Sequence, residues 1–273
     1  MAPTPRDSWP DPAITSGRAE GLFSFVFPMW NEESIIERTI AAAAEAGDRL
    51  IEEGEVADYE IVVVDDASTD ATGPLADRLA AANRRIRVVH HPHNRKLGGS
   101  IRTGFAEASG DFVLYTDADL PFDLIETVRA MRLLRIYEAD IVSAYRFDRT
   151  GEGPRRAIYS YAYNTLIRLL FGVRVRDVNF AFKLMRGAVL DKVELTSEGS
   201  FIDAELLCRA EAAGFRTVQF GVDYFPRYRG ESTLSSPRVI LTMVQELRRL
   251  RPELRALRAD HGGRTGLPPS GGP

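Results

Sequence analysis

Hydrophobic positions along this chain change period in a regular way. The apolar run at 22–27 suits a strand and stops at Pro28. From 32 to 53 the apolar residues Ile35, Ile36, Ile40, Ala43, Ala44 and Leu50 recur at helical spacing. The stretch 59–64 is nearly all β-branched, as expected of a strand covered on both faces of a parallel sheet. A second helix is expected to begin near Thr69 or Asp70, followed by a strand at 86–90 and a helix at 97–108. A strand at 112–115, a helix at 122–136 and a strand at 141–144 come next. This is strand–helix four times and then a further strand. It predicts an α/β fold with a mainly parallel central sheet and helices on both faces. The second half is less regular: a helix at 157–171, a candidate strand at 180–184, a helix at 202–213 and a strand at 217–222. A long helix follows at 237–258, with Pro252 as a kink point.

In sheets of this kind ligands bind beyond the carboxyl ends of the strands. Four segments fall there: 28–31, 65–66, 93–96 and 117–119. Asp117-Ala118-Asp119 delivers two carboxylates one residue apart, which suits Mg²⁺ or Mn²⁺ shared with substrate phosphates. Asp65-Asp66 can take a ribose hydroxyl or a base amide. Helix capping by Ser68, Thr69 or Asp70 is the alternative, but capping does not account for both acids, and Asp66 is the stronger candidate. Pro28-Met29-Trp30-Asn31-Glu32 sets an aromatic beside a polar pair, fit for a planar base. Taken alone it reads rather as a plain strand-to-helix turn with Asn31 as helix cap. In 94–100, Arg95, Lys96, Gly98 and Gly99 precede a helix, and the segment either binds phosphate or its glycines bring the helix into close contact with the sheet. His90, His91 and His93 lack zinc-site spacing and receive no role.

Later in the chain, Arg227-Tyr228-Arg229-Gly230 forms a cationic, glycine-hinged loop that could close on a diphosphate or simply lie on the surface. Asp203 and Glu205 open a helix two residues apart. One is a candidate general base while the other caps or pairs.

Composition adds limits. The chain has 44% apolar and 27% charged residues and a net charge of -4, which argues against a general nucleic-acid binder. Between 146 and 186, however, nine Lys/Arg face three Asp/Glu, a local cationic excess that fits an anionic substrate or lipid. The single Cys208 excludes an intramolecular disulfide and fits a reducing cytoplasm. No apolar run approaches the ~18 residues of a membrane span. Residues 1–20 and 260–273 read as disordered ends. At 237–259 the apolar stripe with Arg238, Arg248, Arg249, Arg251, Arg255 and Arg258 either lies on an anionic bilayer or packs on the protein's own domain.

Taken together, PMWNE (28–32), EIVVVDDASTD (60–70), NRKLGGSIRTGFAEASGD (94–111), TDADL (116–120), SAYR (143–146), DVNFAFKLMRGAVL (177–190), FIDAEL (201–206) and RYRGEST (227–233) resemble the family 2 glycosyltransferases of the GT-A fold. The closest resemblance is to the polyprenyl- and dolichyl-phosphate hexosyltransferases. It implies that Pro28, Trp30, Glu32 and Asp66 hold the nucleoside of a nucleotide-diphosphate sugar. Asn31, Val64, Lys96, Ala118 and Arg229 line the same site. Asp117 and Asp119 would hold the Mg²⁺ or Mn²⁺. Arg146 and Arg227 would face phosphates, and Asp177 with Arg155 and Arg156 would border a lipid-phosphate acceptor. The catalytic domain would run 21–236, with a donor half at 21–145 and an acceptor half at 146–236. Two departures stand out: Thr233 occupies a usual lysine position, and DVNFAFK replaces the D-x-T-S-G-F-R of the lipid-phosphate enzymes. The expected partners are a nucleotide-diphosphate sugar, a lipid phosphate and the cytoplasmic membrane face, with no nucleic acid. A soluble hydroxyl acceptor and a non-catalytic sugar-nucleotide module are the alternatives.

Overall fold

The computed structural model describes residues 21–147, 154–224 (side chains from 160) and, in the C-terminal region, 249, 252–254 and 256. The first four strands are β1 (Leu22–Met29), β2 (Asp58–Asp65), β3 (Ile86–His90) and β4 (Phe112–Thr116). They alternate with α1 (Ile36–Glu52), α2 (Thr72–Ala82) and α3 (Lys96–Glu107). Then come α4 (Glu126–Ile136), β5 (Ile141–Arg146), α5 (Pro154–Phe171), β6 (Phe182–Arg186), the short α6 (Gly187–Leu190), α7 (Ile202–Ala212) and β7 (Thr217–Val222).

The strands form one seven-stranded sheet in the order β3-β2-β1-β4-β6-β5-β7. All pairings are parallel except those of β6, which runs antiparallel to both β4 and β5. Alternate residues of one strand enter different cores. Phe23, Phe25 and Phe27 join Ile61, Val63 and Leu114 beneath α1, α2 and α4. Val26, Val62, Val64, Val113 and Tyr115 join Ile101, Phe105, Ile167, Phe171 and the α7 residues on the other face. Burial on both faces is why the strands read as unbroken apolar runs.

The differences from the sequence reading lie mostly at element ends. β1 continues through Pro28 to Met29. Its ladder with β4 ends at Val26, so Pro28 falls where β1 pairs only with β2 and a missing N–H is tolerated. α1 begins at Ile36 and α2 at Thr72, each several residues later than expected, because the intervening residues are committed to loop contacts described below. α4 starts at Glu126, since Phe122 and Leu124 turn into the core ahead of it. The candidate strand at 180–184 is shifted to β6.

Gly104 lets α3 lie against the sheet, where an added Cβ would come within 2.3 Å of Val26 Cγ1. Gly98 faces a different neighbour: its Cβ would sit 2.3 Å from the Ser197 carbonyl oxygen, and its N–H donates to Glu198 O at 2.8 Å. That N–H is therefore committed to protein, and Gly98 allows a close approach, but to the loop at 197–198 and not to the sheet as expected. Gly98→Ala is expected to destabilise the fold by about 1–3 kcal/mol, because backbone rather than a flexible side chain must move. Urea unfolding measures it.

Candidate active site

The carboxyl ends of β1, β2 and β4 lie side by side. Met29 pairs with Asp65, and continuing the β1–β4 register by two residues sets Asp117 level with Pro28. The hydrogen bonds Asp66 N–H to Met29 O and His91 N–H to Asp65 O, both 2.9 Å, carry the order of the sheet past the last strand residues.

The loops after β1 and β2 are laced together. Asn31 N–H donates to Ser68 Oγ (3.0 Å), and Asn31 Oδ1 accepts from Thr69 N–H (2.8 Å). Glu32 N–H donates to Thr72 Oγ1 (2.7 Å), and Ala71 N–H to Glu33 Oε2 (2.8 Å). Asn31 is thus not the cap of α1, whose N-cap position is Ile35 without a side-chain bond. Asn31 instead braces the next loop, at a φ of 57°. Four of the five non-glycine residues with positive φ among the described residues follow the carboxyl ends of β1 to β4: Asn31 and Ala67 in these loops, Lys96 at the start of α3 and Leu120 after β4. Such conformations need outside support and gather where geometry matters more than comfort. Pro28 is half-buried, Trp30 is 55% exposed and the Lys96 side chain is exposed. The Val64 side chain lies in the core, so only its backbone can reach the site.

Asp65 and Asp66 divide their work. Burial would raise the Asp65 carboxyl, but bonds from Ser68 and His90 outweigh it and hold the group below the usual carboxylate range. His90 bridges Asp65 (2.8 Å) and Asp77 (3.1 Å), and those bonds raise its imidazole above the ordinary value. Asp65 is therefore structural. Asp66 is 3% exposed and accepts at Oδ1 from His91 Nδ1 (2.6 Å) and Arg95 N–H (2.7 Å). The sequence reading gives these histidines no role. The signal lies in the register, since His90 pairs with Asp65 and so His91 stands level with Asp66.

Asp117 and Asp119 follow β4 in a turn whose other residues are pinned. Ala118 and Leu120 are buried, and Thr39 Oγ1 donates to Ala118 O at 2.5 Å. Both residues are half-buried, and the two carboxylate oxygens of Asp119 are themselves buried. Among the described residues no three His, Cys, Asp or Glu gather as a metal cage. Two carboxylates without a third fit a hard cation that takes its other ligands from a diphosphate.

The second half adds charges at the same edge. Arg146 ends β5, and its guanidinium grips Asp177 through Nε–Oδ2 (2.8 Å) and Nη2–Oδ1 (3.2 Å). The Phe180 and Tyr224 rings lie 5.8 and 5.3 Å from it. Lys183 on β6 is 0% exposed and pairs in register with Tyr115 and Ser143. Its ammonium donates to Phe180 O. Burial lowers its pKa, while Asp203, Asp177 and Asp117 pull it back up. Asp203 is 4% exposed, and burial pushes it to about 6 against the attraction of Lys183. Its Oδ1 has no hydrogen-bond partner among the described residues. Glu205, fully buried, is the structural member of its pair. It accepts from Thr196 and Ser197 N–H and from Arg209 Nε at 2.8 Å. Burial would raise Glu205, but the Ser197 and Arg209 bonds lower it.

Arg227, Arg229 and the rest of 227–233 lie outside the described residues, as do 1–20, 260–273 and the side chains of Arg155 and Arg156. Most of the segment 237–259, expected to be a helix, does too. Its described residues are helical, with Leu254 2% exposed in the α7 core and Glu253 paired with Arg209 at 2.9 Å. No helix among the described residues is long and apolar enough to cross a membrane.

Against known proteins, the model of the family described as Glycosyl transferase family 2 matches residues 24–194. Glycosyltransferase AglD of Haloferax volcanii is 34% identical over 231 residues, covering 83% of this chain and 36% of AglD. The chain thus spans about a third of that relative. Polyprenol monophosphomannose synthase of Mycolicibacterium smegmatis is 31% identical over 66% of this chain and 71% of its own length. Among solved structures, glucosyl-3-phosphoglycerate synthase from Mycobacterium tuberculosis with Mn²⁺ and UDP-glucose superposes with a TM-score of 0.59 at 21% identity. That match covers 93% of this chain and 82% of the synthase, and is a likeness of fold.

Proposed function

The chain belongs to glycosyltransferase family 2 and is a GT-A enzyme, and on that premise we propose that it moves a hexose from a nucleotide-diphosphate sugar of the GDP-mannose or UDP-glucose type to a polyprenyl or dolichyl phosphate, with inversion. The observation that carries the reading is that Asp66 and the Asp117/Asp119 pair follow the carboxyl ends of β2 and β4, the two strands that flank β1. A relative named for polyprenol monophosphomannose supports the acceptor class. The donor half is 21–145 and the acceptor half 146–236.

Asp66 takes an N–H of the base, and Pro28, Trp30 and Glu32 frame the nucleoside. Asp117 and Asp119 would hold Mg²⁺ or Mn²⁺, which when bound neutralises the diphosphate; a fold neighbour was solved with Mn²⁺ and UDP-glucose. The acceptor oxygen attacks the anomeric carbon opposite the diphosphate. A new carbon–oxygen bond forms, and the bond to the diphosphate breaks with its electron pair leaving on phosphate oxygen. Arg227 and Arg229 are suited to that growing charge. A phosphate acceptor is already anionic, so positioning is the main task left to the protein. Arg155, Arg156 and the Arg146–Asp177 pair would border it.

A second reading rests on Asp203. A buried carboxyl raised to about 6, with one oxygen unpartnered by the described residues, suits a base that takes a hydroxyl proton. The fold neighbour named for glucosyl-3-phosphoglycerate fits such an acceptor. Asp203→Asn separates the two readings. A phosphate acceptor predicts a loss within about tenfold, and a hydroxyl acceptor a loss of about 10²–10⁴-fold. The primary test is nucleotide release from a panel of UDP- and GDP-sugars with Mn²⁺ or Mg²⁺, with and without polyprenyl phosphate. Release that rises only with the lipid phosphate supports the first reading, and release indifferent to it removes that reading.

A further inference from the structure

Asp66 does not stand alone. Its Oδ1 receives both the His91 Nδ1 bond at 2.6 Å and the Arg95 backbone bond at 2.7 Å. Behind the imidazole, His91 Nε2 lies 2.9 Å from Thr103 Oγ1, and Arg95 Nη1 donates to that same hydroxyl oxygen at 3.2 Å. A guanidinium can only donate. Thr103 Oγ1 therefore accepts from Arg95, and its own hydrogen is free for His91 Nε2. Nδ1 faces a carboxylate oxygen, which can only accept, so the neutral imidazole carries its hydrogen on Nδ1, pointed at Asp66, and Nε2 accepts the Thr103 hydrogen. An imidazolium would carry one there as well, so the donor to Asp66 is the same in either charge state.

The consequence falls on the second carboxylate oxygen. The described protein donors to the Asp66 side chain all end on Oδ1. His91 and Asp66 are buried, with both side chains 4% exposed, so the carboxylate plane cannot swing freely. Oδ2 is thereby held as an acceptor at the edge of the sheet where the nucleoside is read.

We propose that His91, fixed by Thr103 and Arg95, is the positioning residue that makes Asp66 select the base. The inference rests on the donor-site reading given above and deepens it. An acceptor-only oxygen pairs with a ring N–H, as uracil and guanine present. Cytosine and adenine offer a lone pair at the corresponding ring nitrogen and meet repulsion. His91 touches no substrate atom and acts through Asp66 alone.

Titration calorimetry with UDP, GDP, CDP and ADP in Mn²⁺ tests this on the full chain. Either UDP or GDP is expected to bind at least about tenfold tighter than CDP and ADP, the scale of one charge-assisted hydrogen bond. His91→Asn sets an amide at the Nδ1 position and is expected to keep that preference. His91→Leu is expected to bring all four nucleotides within about threefold of one another. It should also raise the KM for the donor sugar about tenfold with kcat nearly unchanged, because only binding geometry is lost. Should His91→Leu not fold, His91→Gln, whose amide sits at the Nε2 position, takes its place with the same expectation. A folded variant without the Nδ1 donor that keeps full base preference overturns the proposal, as does loss in the Asn variant equal to that in Leu. Equal binding of all four nucleotides by the unmodified protein sinks the base-selecting role alone. Binding of none of them sinks the donor-site reading as well.

Discussion

Asp117→Asn is expected to cut sugar transfer by about 10³-fold or more while leaving the fold intact, the scale of losing an electrostatic contact to the leaving group. Asparagine keeps the volume and one oxygen acceptor of the side chain, and Asp117 is half-buried after β4 rather than packed in the core. The buried anchors of the turn, Ala118, Leu120 and the Thr39 bond to Ala118 O, are untouched. Unfolding midpoints should therefore move by no more than a few degrees. What changes is the charge offered to a divalent ion. A signature beyond activity follows. The unmodified protein should bind a nucleotide sugar much more tightly with Mn²⁺ than without it, because two carboxylates facing a diphosphate repel it until a cation intervenes. In the variant one repulsive charge is gone and cation binding is weakened. Cation-free affinity should rise slightly, and the gain from Mn²⁺ should shrink toward nothing. Calorimetry at fixed ionic strength reads both. An undiminished Mn²⁺ response in the Asp117→Asn variant would take Asp117 out of the donor site.

How far the site is legible in the sequence depends on whether its determinants are local. The run Ile61-Val62-Val63-Val64 announces a strand covered on both faces, and both cores claim it. Asp66, Asp117 and Asp119 can be placed because each follows such a strand directly. The direction of β6 cannot be read, since alternation fixes faces and not polarity. The role of Asn31 escapes for a related reason. Helix capping is a local rule, whereas its partners Ser68 and Thr69 are 37 and 38 residues away. The same holds for His90 and His91, whose aspartates lie 25 residues earlier and meet them only through the β2–β3 register. Gly98 shows the limit from the other side. Glycine before a helix fits both phosphate binding and close packing, and only the carbonyls of Ser197 and Glu198 decide. Lys183 sits between the apolar Phe182 and Leu184 of β6, and nothing local says whether its cation faces solvent or three acids.

Lys183→Met should destabilise the fold by about 3–5 kcal/mol at pH 8, which for a chain of this size lowers the midpoint by roughly 10 °C. Methionine fills the volume, so the loss is electrostatic rather than a cavity. Asp177 keeps its Arg146 clamp, and the carboxylate left most exposed to the change is Asp203. The pH dependence tells the two causes apart. Asp203 has a folded pKa of about 6, raised above its ordinary value by burial. The folded state thus holds a proton that the unfolded state releases near pH 4. Stability contributed by this group falls as pH rises from about 4 to about 6, by about 3 kcal/mol in total, and stays low above that. Without Lys183 the carboxyl should rise further still, extending the decline to higher pH. Native and variant proteins should therefore differ most at pH 8 and converge toward pH 5, where Asp203 is protonated in both. Adding Asp203→Asn to Lys183→Met should restore a good part of the lost stability at pH 8, since no uncompensated charge remains. A gap that is constant from pH 5 to pH 8, or a double variant no better than the single one, would mean that Lys183 is held for packing and not as the internal countercharge of the acidic edge.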